Sequence, residues 1–565
     1  DQGGNNTLNV SSGGEASAGF LLVGKFDDAG NNRINLDGGV FRVPLAIVDK
    51  GSDNEVTVSG AGSAWINRLL ILGNTGGGNK LTLLDGGVAE GGGNYIVGAT
   101  PSSGFNAVTV AGHGSAITVD DIRIGSSGSS NSLTISDGGK ANLSLLTVGE
   151  MVGAGGNRAT VSGPASQLDV TDKMYVGLEG SGNALSVLGG ATTTASEVRI
   201  GAQAGAANNS LLVSGPGSSL ASRGDIRVGA AGGTGNSLTV ERGSSLSAAS
   251  LKVAPGNAVS ISKDSAITTG SLAVEEGATL AVQAGEGSAP RIVAAGVADL
   301  RGTIVVDVAD ASVTQNRSSL ITAAEITGTP ALAVTTNQNL AASFRASSTE
   351  VWLEFNSQLG TGTALGRNQQ EVANVLDDHF NAGGSLSAGF GKLYGLTGEP
   401  LNGAISQITG EVGASGGVNA IVQATDSFLT LLAGGAQGGT AGRTGDHTAA
   451  TAAGIVPAAD APNVSDGPAM WGAVLGGSAS LPGSAANGSH DTDTTLWGIA
   501  AGWEQDLSPD TRLGLAVAGG QTGWDVSSGL GSGDSTFLQI GTYGRQQLGD
   551  RKSTRLNSSH RTVSR

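Results

Sequence analysis

The sequence of 565 residues contains no cysteine. This absence excludes a scaffold stabilised by disulfide bonds, a thiolate metal site and a cysteine nucleophile. The chain also lacks any run of 18 or more uncharged apolar residues, so it encodes no transmembrane helix. Any part that crosses a membrane must therefore be a β-barrel, the other structure that satisfies its backbone polar groups in lipid.

Charged residues are scarce, at 14% of the chain, and cations are scarcer than acids. Thirty Lys and Arg residues against 47 Asp and Glu residues give a formal net charge of −17. Such a surface repels phosphate backbones and anionic lipid headgroups, which argues against nucleic acid as a partner. The sequence also contains no signature of a cofactor or of a small-molecule substrate.

Glycine, in contrast, is abundant, with 96 residues. It follows no strict three-residue period, which excludes collagen. The 38% of hydrophobic residues alternate steadily with polar ones, which excludes a disordered low-complexity chain. The composition therefore predicts a long, repetitive β architecture.

A short phrase, Asn-x-apolar-x-apolar, recurs through the first half of the chain at steps of roughly 25 residues. Its asparagines are Asn6, Asn32, Asn54, Asn79, Asn106, Asn131, Asn157, Asn183, Asn209, Asn236 and Asn257. A second phrase, apolar-x-apolar-Gly, falls between them and ends at Gly24, Gly73, Gly98, Gly125, Gly149, Gly177, Gly201 and Gly229. The turns after the Asn phrase alternate between two types, so the full sequence repeat spans two units.

A unit of this length cannot bury its apolar face alone, whereas stacked units bury one continuous core. We therefore predict a right-handed parallel β-helix in which each unit forms one rung. Leu133 and Ile135 are expected to point inward and Thr134 outward, because side chains alternate along a strand. The repeated asparagines are expected to stack at one corner, each amide bonded to the next.

The repeat resembles the β-solenoid repeats (T5SS/PEP-CTERM type) of type V secretion autotransporter passengers, most clearly in residues 56–65, VTVSGAGSAW. Residues 298–355 are similar to the C-terminal end of those solenoids. The resemblance implies an outer-membrane location with the passenger on the bacterial surface. It also implies the outer membrane and its barrel-assembly machinery as partners.

Two helical patterns follow the solenoid. Residues 368–380 place Val372, Val375, Leu376 and Phe380 on one face, and residues 418–432 do the same with Val418, Ile421, Thr425, Phe428 and Leu432. In the family that the chain resembles, such a helix threads the pore of the barrel. Residues 434–468 are rich in Ala, Gly and Thr and predict a linker.

From Met470 onward the sequence alternates as outer-membrane strands do. In residues 496–504 one face holds Trp497, Ile499, Ala501 and Trp503, and the other holds Gly498, Ala500, Gly502 and Glu504. The first face is expected to meet lipid and the second the interior. Only the first strands of a barrel fit into the chain, so we expect an incomplete one.

The fold class predicted is all-β: a β-solenoid passenger, a short helical linker and the first strands of an antiparallel transmembrane β-barrel. The segments expected are a repetitive passenger (1–297), a C-terminal solenoid cap (298–358), a helical pore segment with linker (359–468), a partial barrel (469–549) and a sequencing-adapter artefact (550–565). The last segment begins DRKSTRLNSSH, which resembles one reading frame of an adapter; the alternative is a genuine basic tail. The start resembles the middle of a repeat, so a processed or truncated N terminus is expected.

Residues with catalytic or metal-binding chemistry are scattered. Paired-histidine and calcium-repeat motifs are missing, and the five histidines lie far apart: His113, His379, His447, His490 and His560. The Ser535 motif, Gly533-Asp534-Ser535, superficially resembles a lipase motif but is expected in a polar loop. The adjacent acids Asp120 and Asp121, or Glu275 and Glu276, would point to opposite faces of a strand. We predict no catalytic residues, no metal and no cofactor.

The one candidate for binding is Arg223-Gly224-Asp225, an integrin-recognition sequence. The alternative is structural, because the five residues that start at Asp225 match those that start at Asp121 in an earlier repeat.

We therefore predict a non-enzymatic autotransporter that displays its own passenger for adhesion or self-association, with a host surface or sister cells as partners. The competing hypothesis is a stalk and translocator for an enzyme domain upstream of residue 1. A third hypothesis, a soluble β-helical carbohydrate lyase, is disfavoured by the barrel-like strands after Met470.

Overall fold

The computed structural model describes residues 3–27, 29–230, 232–284, 291–308, 313–336, 338–361, 364–411, 416–435, 468–548 and 551–556. The chain divides into two compact units. The first unit comprises Asp1–Ser357 and Phe380–Gly395, and the second comprises Gln358–His379 and Leu396–Arg565.

One side of the first unit is a sheet of 14 parallel strands, here called sheet A. Each of its strands is the start of one rung and pairs with the strands of the rungs before and after it. The strands are Thr7–Ser11, Arg33–Asp37, Glu55–Ser59, Lys80–Leu84, Ala107–Ala111, Ser132–Ser136, Arg158–Ser162, Ala184–Leu188, Ser210–Ser214, Ser237–Glu241, Ala258–Ile261, Thr279–Gln283, Thr303–Asp307 and Ala331–Thr335.

A second sheet, sheet B, completes the rungs with 20 strands. A rung contributes either one long strand or two short ones that meet at a corner. The strands are Glu15–Ser17, Leu21–Val23, Val40–Arg42, Leu45–Val48, Ala64–Ile66, Leu69–Leu72, Val88–Glu90, Asn94–Val97, Ala116–Ile124, Lys140–Val148, Gln167–Val176, Thr192–Ile200, Ser219–Ser222, Asp225–Val228, Ser245–Val253, Ala266–Val274, Ile292–Leu300, Arg317–Thr327, Leu340–Ala346 and Glu350–Ser357. The parallel β-helix predicted from the repeat is confirmed.

The core of the solenoid lies between the two sheets and is filled by every second residue of each strand. Leu133 and Ile135 are 1% and 0% exposed, while Thr134 between them faces outward, as the alternation predicts. In the early rungs the core also holds aromatic rings, with Phe41 stacked on Trp65 at 5.2 Å between ring centroids. Burial of these apolar faces between stacked rungs supplies the stability that the cysteine-free chain requires.

The asparagines of the repeat form the predicted ladder along one corner. The backbone N–H and the Nδ2 of each asparagine both donate to the Oδ1 of the next. Asn106 donates to Asn131 at 2.9 and 3.0 Å, and Asn131 donates to Asn157 at 2.9 and 3.1 Å. The same pair of bonds links every step from Asn6 to Asn257.

The glycine that ends the second phrase packs directly against this ladder. Gly125 has a φ of 71°, and a Cβ at that position would overlap the side-chain amide of Asn157. The same overlap links each glycine to an asparagine further along the chain in the pairs Gly73 and Asn106, Gly98 and Asn131, Gly149 and Asn183, Gly177 and Asn209, Gly201 and Asn236, and Gly229 and Asn257. The first phrase of the repeat thus supplies the asparagine, and the second phrase the glycine, of one packing contact.

The parallel stacking of the solenoid ends in an antiparallel cap. Glu350–Ser357 pairs antiparallel with both Arg317–Thr327 and Leu340–Ala346. Within it, Arg317 forms an ion pair with Glu350 at 2.7 Å and lies 4.4 Å above the ring of Trp352. Covering the last parallel strand in this way removes an open sheet edge. The boundaries of the cap at residues 298–358 stay a prediction.

Among the described residues after the solenoid, four segments form α-helices: α1 (Arg367–Asn381), α2 (Ala388–Gly391), α3 (Glu399–Ile408) and α4 (Gly417–Gly435), with a 3₁₀ turn at Lys392–Gly395. In the part of the chain that the structure describes, no helix could span a bilayer as an apolar segment.

The second unit also contains an antiparallel sheet of five strands, here called the C-terminal sheet. Its strands are Ala469–Leu481, Thr492–Ser508, Thr511–Val526, Gly531–Leu548 and Arg551–Leu556. The short fifth strand lies in the segment that the sequence attributes to an adapter, and it pairs with the fourth. Most of the predicted linker, residues 436–467, lies outside the described residues.

Helix α4 packs on one face of the C-terminal sheet through Ala424, Phe428 and Leu432. Phe428 and Leu432 were predicted on this face, but Val418 is 55% exposed and the prediction for it is wrong. The buried positions follow four-residue steps through alanines, which let a helix approach a sheet more closely than valines would.

The prediction for α1 is also partly wrong. Phe380 is buried as expected, whereas Val375 is 67% exposed and Ala373 is fully buried.

The ladder generates a first testable prediction. Asn131→Ala removes the acceptor for two donors of Asn106, so we expect the free energy of unfolding to fall by about 1 to 3 kcal/mol. The matched control is Asn142→Ala in the same rung, where the amide is exposed and makes one 3.5 Å contact with Thr118. The control should cost under about 0.5 kcal/mol. Urea unfolding followed by circular dichroism measures both, and equal midpoints would mean that the asparagines act only as turn residues.

The packing of the glycines generates a second prediction, for which two glycines with positive φ serve as a pair. Gly125 has a φ of 71° and meets Asn157, whereas Gly153 has a φ of 91° and nothing within 4 Å of its added Cβ. Gly153→Ala should cost about 1 kcal/mol from backbone strain alone. Gly125→Ala should cost about 1 to 3 kcal/mol more, because a methyl group is forced into a packed site. The same unfolding measurement tests this, and equal costs would contradict the close packing.

Candidate interaction surfaces

The tripeptide Arg223-Gly224-Asp225 lies at the corner of sheet B between the strands Ser219–Ser222 and Asp225–Val228. The side chains of its Arg and Asp are exposed. The charged groups are thus available to a partner, on a corner that is fixed by the rung.

The backbone of the tripeptide is tied to the preceding rung. The N–H groups of its first two residues donate to the carbonyl oxygens of Ala195 and Ser196 at 2.9 and 2.8 Å. The Asp225 carboxylate accepts a hydrogen bond from Ser250 Oγ at 2.7 Å. A Cβ on Gly224 would lie 2.6 Å from the Ser196 oxygen, so this corner itself requires glycine. Gly224 and Asp225 therefore each have a role in the fold of this corner, apart from any role in binding.

The half of sheet B after the corner displays two kinds of surface. Its first four rungs carry partly exposed aliphatic side chains in register: Leu22, Ile47, Ile71 and Ile96 in one row, with Leu45 and Leu69 beside them. Scattered surface aliphatics are normal, but a row in register forms a continuous apolar stripe.

Along the same row, the later rungs become polar and partly basic, through Arg123, Thr147, Tyr175, Arg199, Arg227 and Lys252. Three of the cations are paired with carboxylates: Arg123 with Glu150 at 3.2 Å, Arg199 with Glu197 at 2.5 Å and Lys252 with Glu275 at 2.6 Å. Ion pairs at such partly exposed positions neutralise charge but add little stability. The row is therefore nearly neutral.

An open groove of about 520 Å³ runs along the other half of sheet B. Its lining includes Arg42, Glu90, Thr118, Asp120 and Asn142. The Asp120 carboxylate accepts a hydrogen bond from the Gly93 N–H at 2.7 Å. The groove follows the gaps between outward side chains of successive rungs, so its shape belongs to the repeat.

The acidic pair Asp120 and Asp121 differs from the prediction, because both residues lie on the solvent side. The corner of the rung interrupts the alternation of the strand, which the sequence pattern does not reveal. Asp121 lies 3.6 Å from Arg123, in an ion pair with it. The side chains of Glu275 and Glu276, beyond the end of a strand, also lie on the solvent side.

The predicted loop at Gly533-Asp534-Ser535 is wrong, because these residues lie within the strand Gly531–Leu548 and pair with Thr511–Val526. Their polarity reflects the alternation of that strand.

The histidines do not converge. His113 is exposed in a turn, and His447 and His560 lie outside the described residues. Among the residues that the structure describes, no group of three or more His, Asp or Glu side chains could hold a metal. His490 does have a partner that the sequence did not indicate: its Nδ1 lies 2.9 Å from Glu411 Oε2, and its backbone N–H donates to Oε1 at 2.7 Å.

Among the described residues of the solenoid, Tyr95, Asp264 and Arg291 have shifted pKa values, each with a local cause. Burial raises the pKa of the Tyr95 phenol, which donates a hydrogen bond to Asn67 inside the core. A hydrogen bond from the Ser262 hydroxyl lowers the pKa of the Asp264 carboxyl in a turn. Burial lowers the pKa of the Arg291 guanidinium, and the charge of Asp264 partly opposes this.

The C-terminal sheet has two contrasting faces, as predicted. Trp497, Ile499 and Trp503 are 64%, 62% and 41% exposed on the outer face. Further aliphatic residues continue this surface on neighbouring strands: Val474, Leu513, Leu515, Val517, Leu538 and Ile540. A broad apolar face on an antiparallel sheet is the pattern of strands that meet lipid.

The inner face of the C-terminal sheet carries a polar network beside α4. Trp471 Nε1 donates to Tyr543 Oη at 2.7 Å, and that hydroxyl donates to Glu504. Arg512 lies 3.3 Å from Glu504 and 2.7 Å from Asp506. The alternation predicted the inward position of Glu504, but its partners lie too far away in sequence for any local pattern to indicate them.

Comparison with known proteins finds a match that covers the C-terminal sheet. Residues 470–557 match the family model described as Autotransporter beta-domain. Neither a curated protein nor a solved structure matches the chain.

The geometry of the tripeptide generates a third prediction. If its Asp binds an integrin, Asp225→Ala should lower attachment of protein-displaying cells to an integrin-coated surface by roughly tenfold, the loss expected for one charged contact. The matched control is Asp121→Ala, at the equivalent position of a repeat without the Arg-Gly pair. Equal attachment of both variants and the parent would assign Asp225 to the strand alone.

Proposed function

We propose that this chain, which has the β-solenoid passenger and the β-domain of a type V secretion autotransporter, displays its solenoid for adhesion or self-association. The β-domain lies in the outer membrane and the passenger stands at the cell surface. The exposed apolar face of the C-terminal sheet agrees with that location, because lipid-facing residues alternate with inward ones in such strands.

The observation that carries the proposal is the repetition of outward positions over 14 strands of sheet A and along sheet B. Rungs stack at about 4.8 Å, so one kind of outward contact recurs many times along the passenger. Many weak contacts of this kind add up to strong attachment when they act together. A repeated outer surface therefore suits an adhesive role better than it suits a single binding pocket.

The partners follow from this location. Strands that enter the outer membrane need the barrel-assembly machinery, which we propose as the partner of the β-domain. For the passenger we propose a host surface or sister cells, with the tripeptide Arg223-Gly224-Asp225 as one candidate contact. A non-enzymatic role is favoured because the outward side chains repeat from rung to rung, and the groove between them on sheet B is an open furrow and not an enclosed cleft.

A change in rung number gives the fourth prediction. Deletion of residues 106–156 joins Phe105 to Asn157, which keeps the asparagine register and removes two complete rungs. Because contacts act together, we expect attachment and cell–cell aggregation to fall severalfold for this loss. Duplication of the same residues should have the opposite effect.

Both variants are produced from the protein's own gene in a Gram-negative host. Antibody labelling is used to match the amount of protein displayed on the cell surface. Aggregation is followed by settling and attachment by retention on a host-cell layer. If cells with the parent protein settle and attach no better than cells without it, the proposed function is wrong.

A further inference from the structure

The outer surface of sheet A carries one row of side chains without any charge. This row, here called the centre row, consists of the third residue of each strand, and its members pair in register from rung to rung. They are Asn9, Asn35, Thr57, Thr82, Thr109, Thr134, Thr160, Ser186, Leu212, Thr239, Ser260, Ala281, Val305 and Ala333. Most are short, none is aromatic, and five consecutive rungs present threonine.

The two edges of sheet A differ in charge. The edge formed by the first residue of each strand carries three cations, Arg33, Lys80 and Arg158, and one acid, Glu55. On the edge formed by the fifth residue, the charged residues are all acids: Asp37, Glu241 and Asp307. The outer surface of sheet A is therefore a neutral strip between a mainly basic edge and an acidic edge.

The size of this surface is that of a protein–protein interface. With 14 strands at about 4.8 Å and five residues at about 3.3 Å, sheet A measures roughly 60 by 16 Å, or ~1,000 Å². Two such faces in contact would bury about 2,000 Å², the upper end of the range for specific, stable complexes. Short side chains also let two sheets approach to about 10 Å, the distance of packed sheets.

We propose that sheet A packs face to face on sheet A of a second copy, with the two solenoids parallel. The inference rests on the self-association branch of the proposed function and adds to the contact with sister cells a pairing between copies on one cell. A twofold axis along the solenoid sets each rung over the same rung of the other copy, so Arg33, which pairs with Glu55 of its own copy at 3.5 Å, lies opposite the second copy's Asp37. In the other rungs of sheet A a charged edge residue meets a neutral one. Opposite charges across an interface favour the encounter and fix its orientation.

The antiparallel arrangement is disfavoured by the same edges. A twofold axis across the solenoid sets the second rung over the thirteenth, so Asp37 of one copy lies over Asp307 of the other, and like charges in contact repel. Two copies that are anchored in one outer membrane by the same end of the chain favour solenoids that run in the same direction. The pairing is therefore between neighbours on the same cell.

The test uses the absence of cysteine, because one introduced thiol is then the only one in these 565 residues. In the parallel pair, Thr109 lies near the axis and opposite its own copy, so a short bis-maleimide, which can span two thiols on sheets about 10 Å apart, should cross-link Thr109→Cys into a dimer on displaying cells. In the antiparallel pair, the fifth rung faces the tenth, so dimers would need Thr109→Cys and Thr239→Cys proteins together. Tyr175→Cys, partly exposed on sheet B, is the matched control and should give little dimer.

A second variant, Thr134→Lys, places a charge in the centre row while leaving the ladder and core unchanged. In the Thr109→Cys background it should lower the dimer yield by roughly tenfold, since an unpaired charge is buried in the interface. Tyr175→Lys in that background should leave the yield unchanged. Urea unfolding of both variants should match the parent, which separates loss of pairing from loss of fold.

The outcomes separate this inference from the proposed function. Dimers from Thr109→Cys alone that Thr134→Lys suppresses would support parallel pairing. Dimers only from the mixture, or equal dimers from Tyr175→Cys, would overturn it. If Thr134→Lys lowers attachment to host cells while Thr109→Cys gives no dimer, sheet A binds a different partner; the inference fails and the adhesive function stands.

Discussion

The structure depends on one contact, the stacking of asparagine amides along a corner of the solenoid. Each Oδ1 accepts two hydrogen bonds from the previous rung, and from Asn54 to Asn257 these side chains are at most 3% exposed. A buried amide without partners is costly, so each rung needs an asparagine at the same corner of the next rung. The ladder thereby fixes where every rung begins, and the strands that follow must stack in one register.

The same contact accounts for part of the glycine content. The chain passes so close to the ladder that a side chain at Gly98 or Gly149 would overlap an asparagine, and the backbone there has positive φ. The inward positions are fixed as well, because they fill a narrow core. What varies between rungs is the outward residue, and this freedom explains how one repeat can present an aliphatic stripe, an ion-paired row and an uncharged centre row on different faces.

The second unit follows a different constraint, since its sheet is apolar on the outer face and holds α4 on the inner one. Helix α4 contributes Ala424, Phe428 and Leu432 to that contact, and Gln539 donates a hydrogen bond to Thr425 at 3.0 Å. The network of Glu504, Tyr543 and Trp471 lies on the same inner face. An apolar exterior and a partly polar interior invert the usual arrangement of a water-soluble sheet, as lipid requires.

The sequence by itself determined the rungs, the asparagine corner, the inward residues of sheet A and the outer face at Trp497, because these follow from short periods that any strand obeys. Only the tertiary structure decided that Asp120 and Asp121 share the solvent side, that α4 turns Ala424 and not Val418 inward, and that His490 meets Glu411. Corners, helix rotation and distant pairs depend on residues far apart in the chain. The opposite charge of the two edges of sheet A likewise emerges only when the rungs are stacked in register, because no single repeat contains it.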